Sequence, residues 1–231
     1  MSNRYVFMYA SVMVVVVALV LSSAATLLRP LQDRNMRIEK MQNILSTIGI
    51  EAHRNEAIEL FEEYIKETKV LNYQGEEIDG DAFEVDLQDE NRKPLEERQL
   101  PLFIADVDDE LFYIVPIRGN GLWGAIWGYL SFYEDLVTIA GANFDHASET
   151  PGLGAEIADP PFENQFMGKK IFDEEGGFKP VTVVKGGAPD DDPHAVDAIS
   201  GGTITSNGVT DMLRNGLKVY LPYFEKQKTI L

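Results

Sequence analysis

Hydroxyl side chains and two glycines are concentrated near the C-terminus, in residues 197–206 (DAISGGTITS). Gly201 and Gly202 allow a ligand to approach the backbone closely. Oxygen atoms for hydrogen bonding come from four residues: Ser200, Thr203, Thr205 and Ser206. This combination of a glycine turn and hydroxyl groups is suited to binding a phosphate.

The same turn precedes an apolar pattern with helical spacing, which runs from Val209 to Tyr220. We therefore expect a helix with Thr205, Ser206 or Asn207 as its N-cap. The unpaired N–H groups and the positive dipole end of a helix favour an anion at that position. An ordinary hydroxyl-rich turn that only caps a helix has the same composition. On this segment alone, both interpretations stay open.

A second segment, residues 145–156 (DHASETPGLGAE), has the composition of a ligand-binding loop. Its bend-forming residues are Pro151, Gly152 and Gly154. In such a bend Leu153 can pack on a flat ring, and Glu149 or Thr150 can bond to the polar edge of that ring. A tight loop without a ligand is the alternative interpretation.

A third candidate lies in residues 118–128 (RGNGLWGAIWG), where glycines flank Leu122 and Trp123. An aromatic side chain in this setting either lines a ligand pocket or fills the core. Lys185, at the end of a predicted strand (VVKGGA), has the charge to meet a phosphate or an anionic ring edge. A solvated lysine at a strand end is the alternative.

Taken together, these segments resemble the FMN-binding domain family. The match to the family's flavin-attachment motif consists of Asp197, Ser200, Gly201 and Thr203, with Gly202 where the family has alanine. Residues 149–154 (ETPGLG) and 119–123 (GNGLW) resemble two further family segments. The resemblance implies an FMN joined through its phosphate to Thr203 by a flavin transferase of the ApbE type, with Thr205 as the fallback site.

The resemblance also implies roles for the residues around the attachment site. Contacts to the flavin ring would come from Leu122, Trp123, Leu153 and Ile204. Polar contacts would come from Glu149, Thr150 and Lys185. The backbone of the site would be shaped by Ser200, Gly201, Gly202, Gly152 and Gly154. No residue is expected to be catalytic in its own right.

As a function, the resemblance implies an electron-transfer subunit of a multi-subunit membrane complex. Such a subunit would relay electrons from NADH toward ubiquinone or menaquinone, coupled to sodium transport, without catalysing a reaction alone. A subunit of a ferredoxin:NAD complex is the alternative within the family. The alternative of another class is a non-redox, membrane-anchored interaction module.

An uncharged apolar segment between Val6 and Leu28 is long enough to span a bilayer. At ~1.5 Å per residue it reaches about 34 Å, against about 30 Å for the hydrocarbon core. A cleaved signal peptide is the alternative, although its apolar region is usually about 7–15 residues long.

The orientation of this segment receives two opposite indications. Four basic residues follow it, Arg29, Arg34, Arg37 and Lys40, against Arg4 before it. By the positive-inside rule they favour a cytoplasmic domain. The family resemblance implies instead a single-pass protein of the bacterial inner membrane with its flavin domain on the periplasmic side.

The chain of 231 residues carries a net charge of −18 and no cysteine. The negative charge disfavours nucleic acid as a partner. The absence of cysteine excludes disulfides and thiolate-held iron–sulfur clusters within this chain. The three histidines, His53, His146 and His194, lack metal-ligand spacing, and no G-x-S-x-G motif surrounds Ser200. The sequence therefore predicts neither a metal site nor a hydrolytic site.

The remaining pattern predicts an α+β fold with a twisted, mostly antiparallel sheet flanked by helices. We expect a transmembrane anchor in residues 1–30, juxtamembrane and packing helices in 31–68, and one FMN-binding domain in 69–231. Helices are expected at 31–50, at 55–67 and from 207 onward. Strands are expected at 69–73, 82–87, 102–107, 111–117, 125–132, 136–144, 169–172 and 179–184. Residues 89–99 and 188–194 are expected to be solvated loops.

Overall fold

The computed structural model describes residues 3–228. The helices are α1 (Asn3–Ser46), α2 (Ala57–Tyr64), α3 (Leu87–Glu90), α4 (Pro160–Glu163), α5 (Thr203–Lys218) and α6 (Leu221–Lys228). The strands are β1 (Ile65–Leu71), β2 (Glu77–Ile78), β3 (Leu100–Val107), β4 (Glu110–Asn120), β5 (Ala125–Phe132), β6 (Ile139–His146), β7 (Thr182–Val184) and β8 (Ala195–Asp197). Short 3₁₀ segments cover Leu95–Glu97, Gly154–Ala158 and Asn164–Phe166.

Two compact units make up the chain, Met1–Lys40 and Met41–Leu231. The first unit belongs to α1, which is continuous through Pro30 and ends at Ser46, so the helix expected at 31–50 is its C-terminal part. By length and composition α1 can cross a membrane, with a mean hydropathy of 2.5 in its most apolar part. The domain boundaries expected at residues 30 and 68 stay a prediction.

The second unit is built on a six-stranded antiparallel sheet in the order β2-β1-β3-β4-β5-β6. Its long central strands are joined by short hairpins, because Val107 pairs with Glu110 and Asn120 pairs with Ala125. Separately, β7 and β8 form a parallel pair. The arrangement agrees with the predicted α+β class.

One face of the sheet is covered by the two C-terminal helices. The buried face of α5 consists of Val209, Met212, Leu213 and Leu217, as the apolar pattern predicts. Close approach to β4 depends on Gly208, since a Cβ there would collide with the carbonyl oxygen of Asn120. After α5, the buried hydroxyl of Tyr220 donates to the carbonyl oxygen of Pro101 in β3 (3.0 Å). These contacts fix α5 against the strands.

The opposite face is covered by the chain that follows α1 and by α2. Phe61 of α2 packs edge-on against Phe103 of β3, with ring centroids 6.3 Å apart. In β5, the buried hydroxyl of Ser131 donates to the carbonyl oxygen of Thr47 (2.6 Å). The sheet is therefore covered on both faces, as its largely apolar central strands require.

Burial and hydrogen bonding shift the pKa of Glu163 in α4 in opposite directions. Burial raises the pKa of Glu163 to about 7, and the hydrogen bond from the Phe144 N–H opposes this shift. Because this pKa lies above its unfolded value, the native state binds the proton more tightly. The resulting stabilisation is present at low pH and is lost as the pH rises through about 7.

Several predicted elements are wrong in detail. The segment 82–87 is not a strand, because Asp81 and Asp86 accept the N–H groups of Phe83 and Gln88 in local turns. The helix expected at 55–67 ends at Tyr64, and the chain enters β1 directly. Within 89–99 the structure forms the end of α3 and a 3₁₀ segment.

The late strands are shorter than predicted. Of the expected strands at 169–172 and 179–184, only Thr182–Val184 is a strand, while Lys170 and Phe172 form isolated bridges. The partner of β7 is β8, which the sequence did not predict. Three residues each are too few to carry the alternating pattern by which strands are recognised.

Candidate functional site

A buried carboxylate stands where the three predicted ligand segments meet. Glu149 is only 4% exposed. Its Oε1 accepts a hydrogen bond from the backbone N–H of Trp123 (2.8 Å), and its Oε2 accepts one from the hydroxyl of Thr205 (2.7 Å). One side chain thus joins the β4–β5 loop, its own loop after β6 and the first turn of α5.

The glycines of two segments leave room for this carboxylate. A Cβ on Gly121 would collide with Glu149 Oε1. A Cβ on Gly154 would collide with Glu149 Oε2 and with the hydroxyl oxygen of Thr205. Gly121 in GNGLW and Gly154 in ETPGLG are therefore explained by close packing around Glu149, in addition to any ligand.

The backbone of Trp123 is held from both sides. Its N–H donates to Glu149, and its carbonyl oxygen accepts a hydrogen bond from the hydroxyl of Ser148 (3.1 Å). Within the same loop the Gly121 N–H donates to the carbonyl oxygen of Gly124 (2.8 Å). The indole nevertheless is 66% exposed. The structure therefore fixes the main chain of this loop and leaves the aromatic ring at the surface.

Large apolar side chains are exposed on all three of these segments. We call this set the apolar patch: Leu122, Trp123, Leu153 and Ile204. Leu153 also lies close to the turn before α5 (residues 200–202), since a Cβ on Gly201 would stand 2.5 Å from Leu153 Cδ2. Exposed apolar side chains in such a group indicate a surface that binds a ligand or another protein.

Helix α5 begins earlier than predicted, at Thr203, with Gly202 at the N-cap position. The first helical bond runs from the Ser206 N–H to the Gly202 carbonyl oxygen (2.9 Å). The expected caps Thr205, Ser206 and Asn207 are therefore wrong. Thr205 is held by Glu149 instead, and the Ser206 hydroxyl accepts the Ile199 N–H (3.3 Å). Left-handed Gly201 (φ 75°) makes the turn that leads into the helix.

The hydroxyl groups of residues 200–205 differ in their exposure and in their hydrogen bonds. The Thr205 side chain is 1% exposed and donates to Glu149. By contrast, Thr203 is half-buried, and its hydroxyl forms no hydrogen bond within residues 3–228. Because Thr203 is the first residue of α5, it lies beside the N–H groups that lack an intrahelical acceptor. Ser200 is exposed in the preceding turn.

Other predicted site residues lie at the edges of this arrangement. Lys185 is exposed and directly follows β7. The neighbouring strand β8 leads into the turn before α5, and the ends of the two strands are joined by the bond from the Ala198 N–H to the Val184 carbonyl oxygen (3.0 Å). Thr150 and Gly152 are exposed in the loop after Glu149. No hydrogen bond or ion pair joins Lys185 to Glu149, Trp123 or Thr205 in the described part of the chain.

The sequence did not single out two residues that build the site. Ser148 lies inside the predicted loop, but only the structure shows its bond to the carbonyl oxygen of Trp123. His146 accepts the Glu149 N–H on Nδ1 (3.3 Å), a structural role. Gly154, five residues after Glu149, was the available signal of close packing in this loop, but it does not show which side chain it encloses.

Comparison with known proteins supports the resemblance. The sequence model of the FMN-binding domain matches residues 121–218, a range that includes the β4–β5 loop, Glu149 and α5. The predicted resemblance to this family is confirmed. The NqrC subunit of the Na(+)-translocating NADH-quinone reductase of Vibrio vulnificus (strain YJ016) is 34% identical over 212 residues, covering 84% of this chain and 82% of the relative. The NqrC of Yersinia pestis is 31% identical, covering 86% and 82%.

Solved structures show the same fold. The crystal structure of NqrC from Parabacteroides distasonis superposes with a TM-score of 0.80 and 46% identity, covering 85% of this chain and 96% of that one. Shewanella oneidensis NqrC superposes with a TM-score of 0.73 and 28% identity, covering 84% and 98%. The chain therefore belongs to the NqrC family of the Na(+)-translocating NADH-quinone reductase.

Proposed function

We propose that this chain carries FMN as a phosphoester on Thr203 and relays electrons between neighbouring redox centres of a Na(+)-translocating NADH-quinone reductase. The observation that carries the attachment site is the difference between two hydroxyl groups. Thr203 is accessible and without a hydrogen-bond partner among residues 3–228, whereas Thr205 is buried and donates to Glu149. Of these two hydroxyl groups, that of Thr203 is therefore the one available for a phosphoester; the exposed Ser200 is not at the position that the family motif implies for attachment.

Attachment at Thr203 requires an activated flavin phosphate. In the proposed step, Thr203 Oγ bonds to the phosphorus of a flavin dinucleotide, the bond to the leaving nucleoside monophosphate breaks, and the hydroxyl proton passes to solvent. No oxidation or reduction accompanies this transfer. A flavin transferase of the ApbE type would catalyse it. The N–H groups at the start of α5 would then hold the phosphate charge.

The residues around Thr203 fit a flavin. The apolar patch offers a surface for the ring, and Lys185 and Thr150 supply polar groups at its edge. When bound, FMN supplies the electron-accepting and electron-donating chemistry that the side chains of a chain without cysteine do not provide. A covalent bond also retains an anionic cofactor on a chain whose net charge is −18.

The partners follow from the family. As a member of the NqrC family, the chain assembles with other subunits of a membrane complex, and α1 is consistent with its anchor. The relatives described above are subunits of the quinone reductase, which favours this complex over a ferredoxin:NAD complex. The FMN-binding domain disfavours a non-redox interaction module.

Replacement of Thr203 tests the attachment site. We expect Thr203→Ala, produced together with the transferase, to lose flavin fluorescence on a denaturing gel, because the hydroxyl at the proposed attachment position is gone and the fallback hydroxyl of Thr205 is buried and bonded to Glu149. Thr203→Ser keeps the hydroxyl and should retain the flavin. Thr205→Ser is the matched control at the fallback site, and peptide mass mapping should place its FMN on Thr203. FMN retained by Thr203→Ala, or mapped to Thr205, would contradict the assignment.

The two glycines of the turn should differ in their tolerance of alanine. At Gly202 a Cβ would lie 3.0 Å from Ile199 Cγ2, so Gly202→Ala needs a shift of a few tenths of an ångström and should keep its flavin. At Gly201, φ is +75° and the Cβ would stand 2.5 Å from Leu153 Cδ2. Gly201→Ala should lose about 1–3 kcal/mol of stability and carry less flavin. Thermal unfolding measures the stability of each variant, and the ratio of flavin to protein measures its flavin content. Equal stability and equal flavin content of the two variants would refute this account.

We also propose that the flavin domain lies on the periplasmic side of the inner membrane. The resemblance in the attachment motif supports this side, while the basic residues after the apolar segment oppose it. Because the chain has no cysteine, Glu175→Cys in an exposed turn provides a single reporter. We expect an impermeant thiol reagent to label it in intact spheroplasts. Labelling only after lysis would place the domain in the cytoplasm.

A further inference from the structure

Glu149 is a buried carboxyl group, and the described part of the chain offers it no cationic partner. No lysine, arginine or histidine forms an ion pair with it in the part of the chain that the structure describes. Its two side-chain oxygens accept hydrogen bonds from neutral groups, the Trp123 N–H and the Thr205 hydroxyl. Both neutral groups can donate to a carboxylate, so the geometry suits a negative charge at this position. Such a charge would be stabilised by hydrogen bonds, without a cation paired to it in the described part of the chain.

The position of this charge relates it to the proposed cofactor. Thr205, which donates to Glu149, lies two residues after Thr203 in the first turn of α5. The main chain of Trp123 bonds to the other oxygen, and its exposed indole is the aromatic member of the apolar patch. Both the attachment point and the candidate ring contact are thus fixed by the same carboxylate.

We propose that Glu149 is a positioning residue that also lowers the reduction potential of the flavin. This inference rests on the proposed function, since it needs FMN on Thr203. Reduction adds negative charge to the flavin ring, and a buried negative charge nearby opposes that addition. The interaction is stronger in a poorly solvated site than in water. The Thr205 hydroxyl donates a hydrogen bond to the Glu149 carboxylate and stabilises its charge. Thr205 therefore weakens the effect of Glu149 on the reduction potential.

The isosteric variant Glu149→Gln tests the charge with little change of shape. The amide oxygen still accepts the Trp123 N–H, and the Thr205 hydroxyl can turn to accept a bond from the amide nitrogen. We expect the flavin midpoint potential, measured by spectroscopic redox titration of the full flavinylated chain, to become more positive. A tenfold change in the ratio of reduced to oxidised flavin corresponds to about 30 mV for a two-electron couple. Glu175→Gln, which removes an exposed charge in the turn after Phe172, is the control and should shift the potential less.

For a second variant we expect a shift of the flavin midpoint potential in the opposite direction. Thr205→Val keeps the carboxylate but removes the hydroxyl that stabilises it, so the potential should become more negative. A merely structural role for Glu149 predicts no such opposition, because loosening of the same contact would move both variants in one direction. If Glu149→Gln does not accept flavin, the sign of the Thr205→Val shift decides the proposal alone.

The outcomes separate this inference from the proposed function. A wild-type chain without covalent flavin on Thr203 would refute the proposed function. A flavinylated wild type whose potential is unchanged in Glu149→Gln, or shifted to the same degree by Glu175→Gln, would overturn only the role of Glu149. Shifts of the same sign in Glu149→Gln and Thr205→Val would also overturn it.

Discussion

The hydrogen bonds of Glu149 are the constraint on which the arrangement of the site depends. The carboxylate links a hairpin loop, the loop after β6 and the start of α5, which are far apart in the sequence. Its burial makes these bonds obligatory, because an unpaired carboxylate in this position would pay the full cost of desolvation. Loss of either partner would therefore disturb the other segment as well. The same bonds keep Thr205 engaged and leave Thr203 available.

The position of α5 is the second condition for this geometry. Gly208 lets the helix approach the backbone of Asn120, and Tyr220 fixes the chain after the helix to β3. Asn120 ends β4, and the next four residues form the loop that carries Trp123. The contact of Gly208 with Asn120 therefore holds α5, which begins at Thr203, next to this loop. A relay subunit needs such rigidity because electron transfer depends on fixed distances between redox groups.

The sequence predicted the fold class and the central strands, and it singled out the three segments that the structure brings together at Glu149, because their patterns are long or have distinctive composition. It did not predict the start of α5 at Thr203, because hydroxyl residues that look like caps are used elsewhere: Thr205 binds Glu149 and Ser206 binds the Ile199 N–H. The pairing of β7 with β8 was missed because three-residue strands carry too little pattern. The structure places both oxygens of Glu149 on protein groups, which the sequence did not predict, while its expected contact with a ligand ring stays a prediction. Such contacts between distant segments have no signature in local sequence.

A crystal structure of the flavinylated full-length chain is the most direct test of this account. We predict continuous electron density from Thr203 Oγ to the flavin phosphate, with the Trp123 N–H and the Thr205 hydroxyl still bonded to Glu149. Density joining the phosphate to any other residue would contradict the attachment site. A Glu149 carboxylate turned away from Trp123 and Thr205 would contradict its role as the link between the three segments.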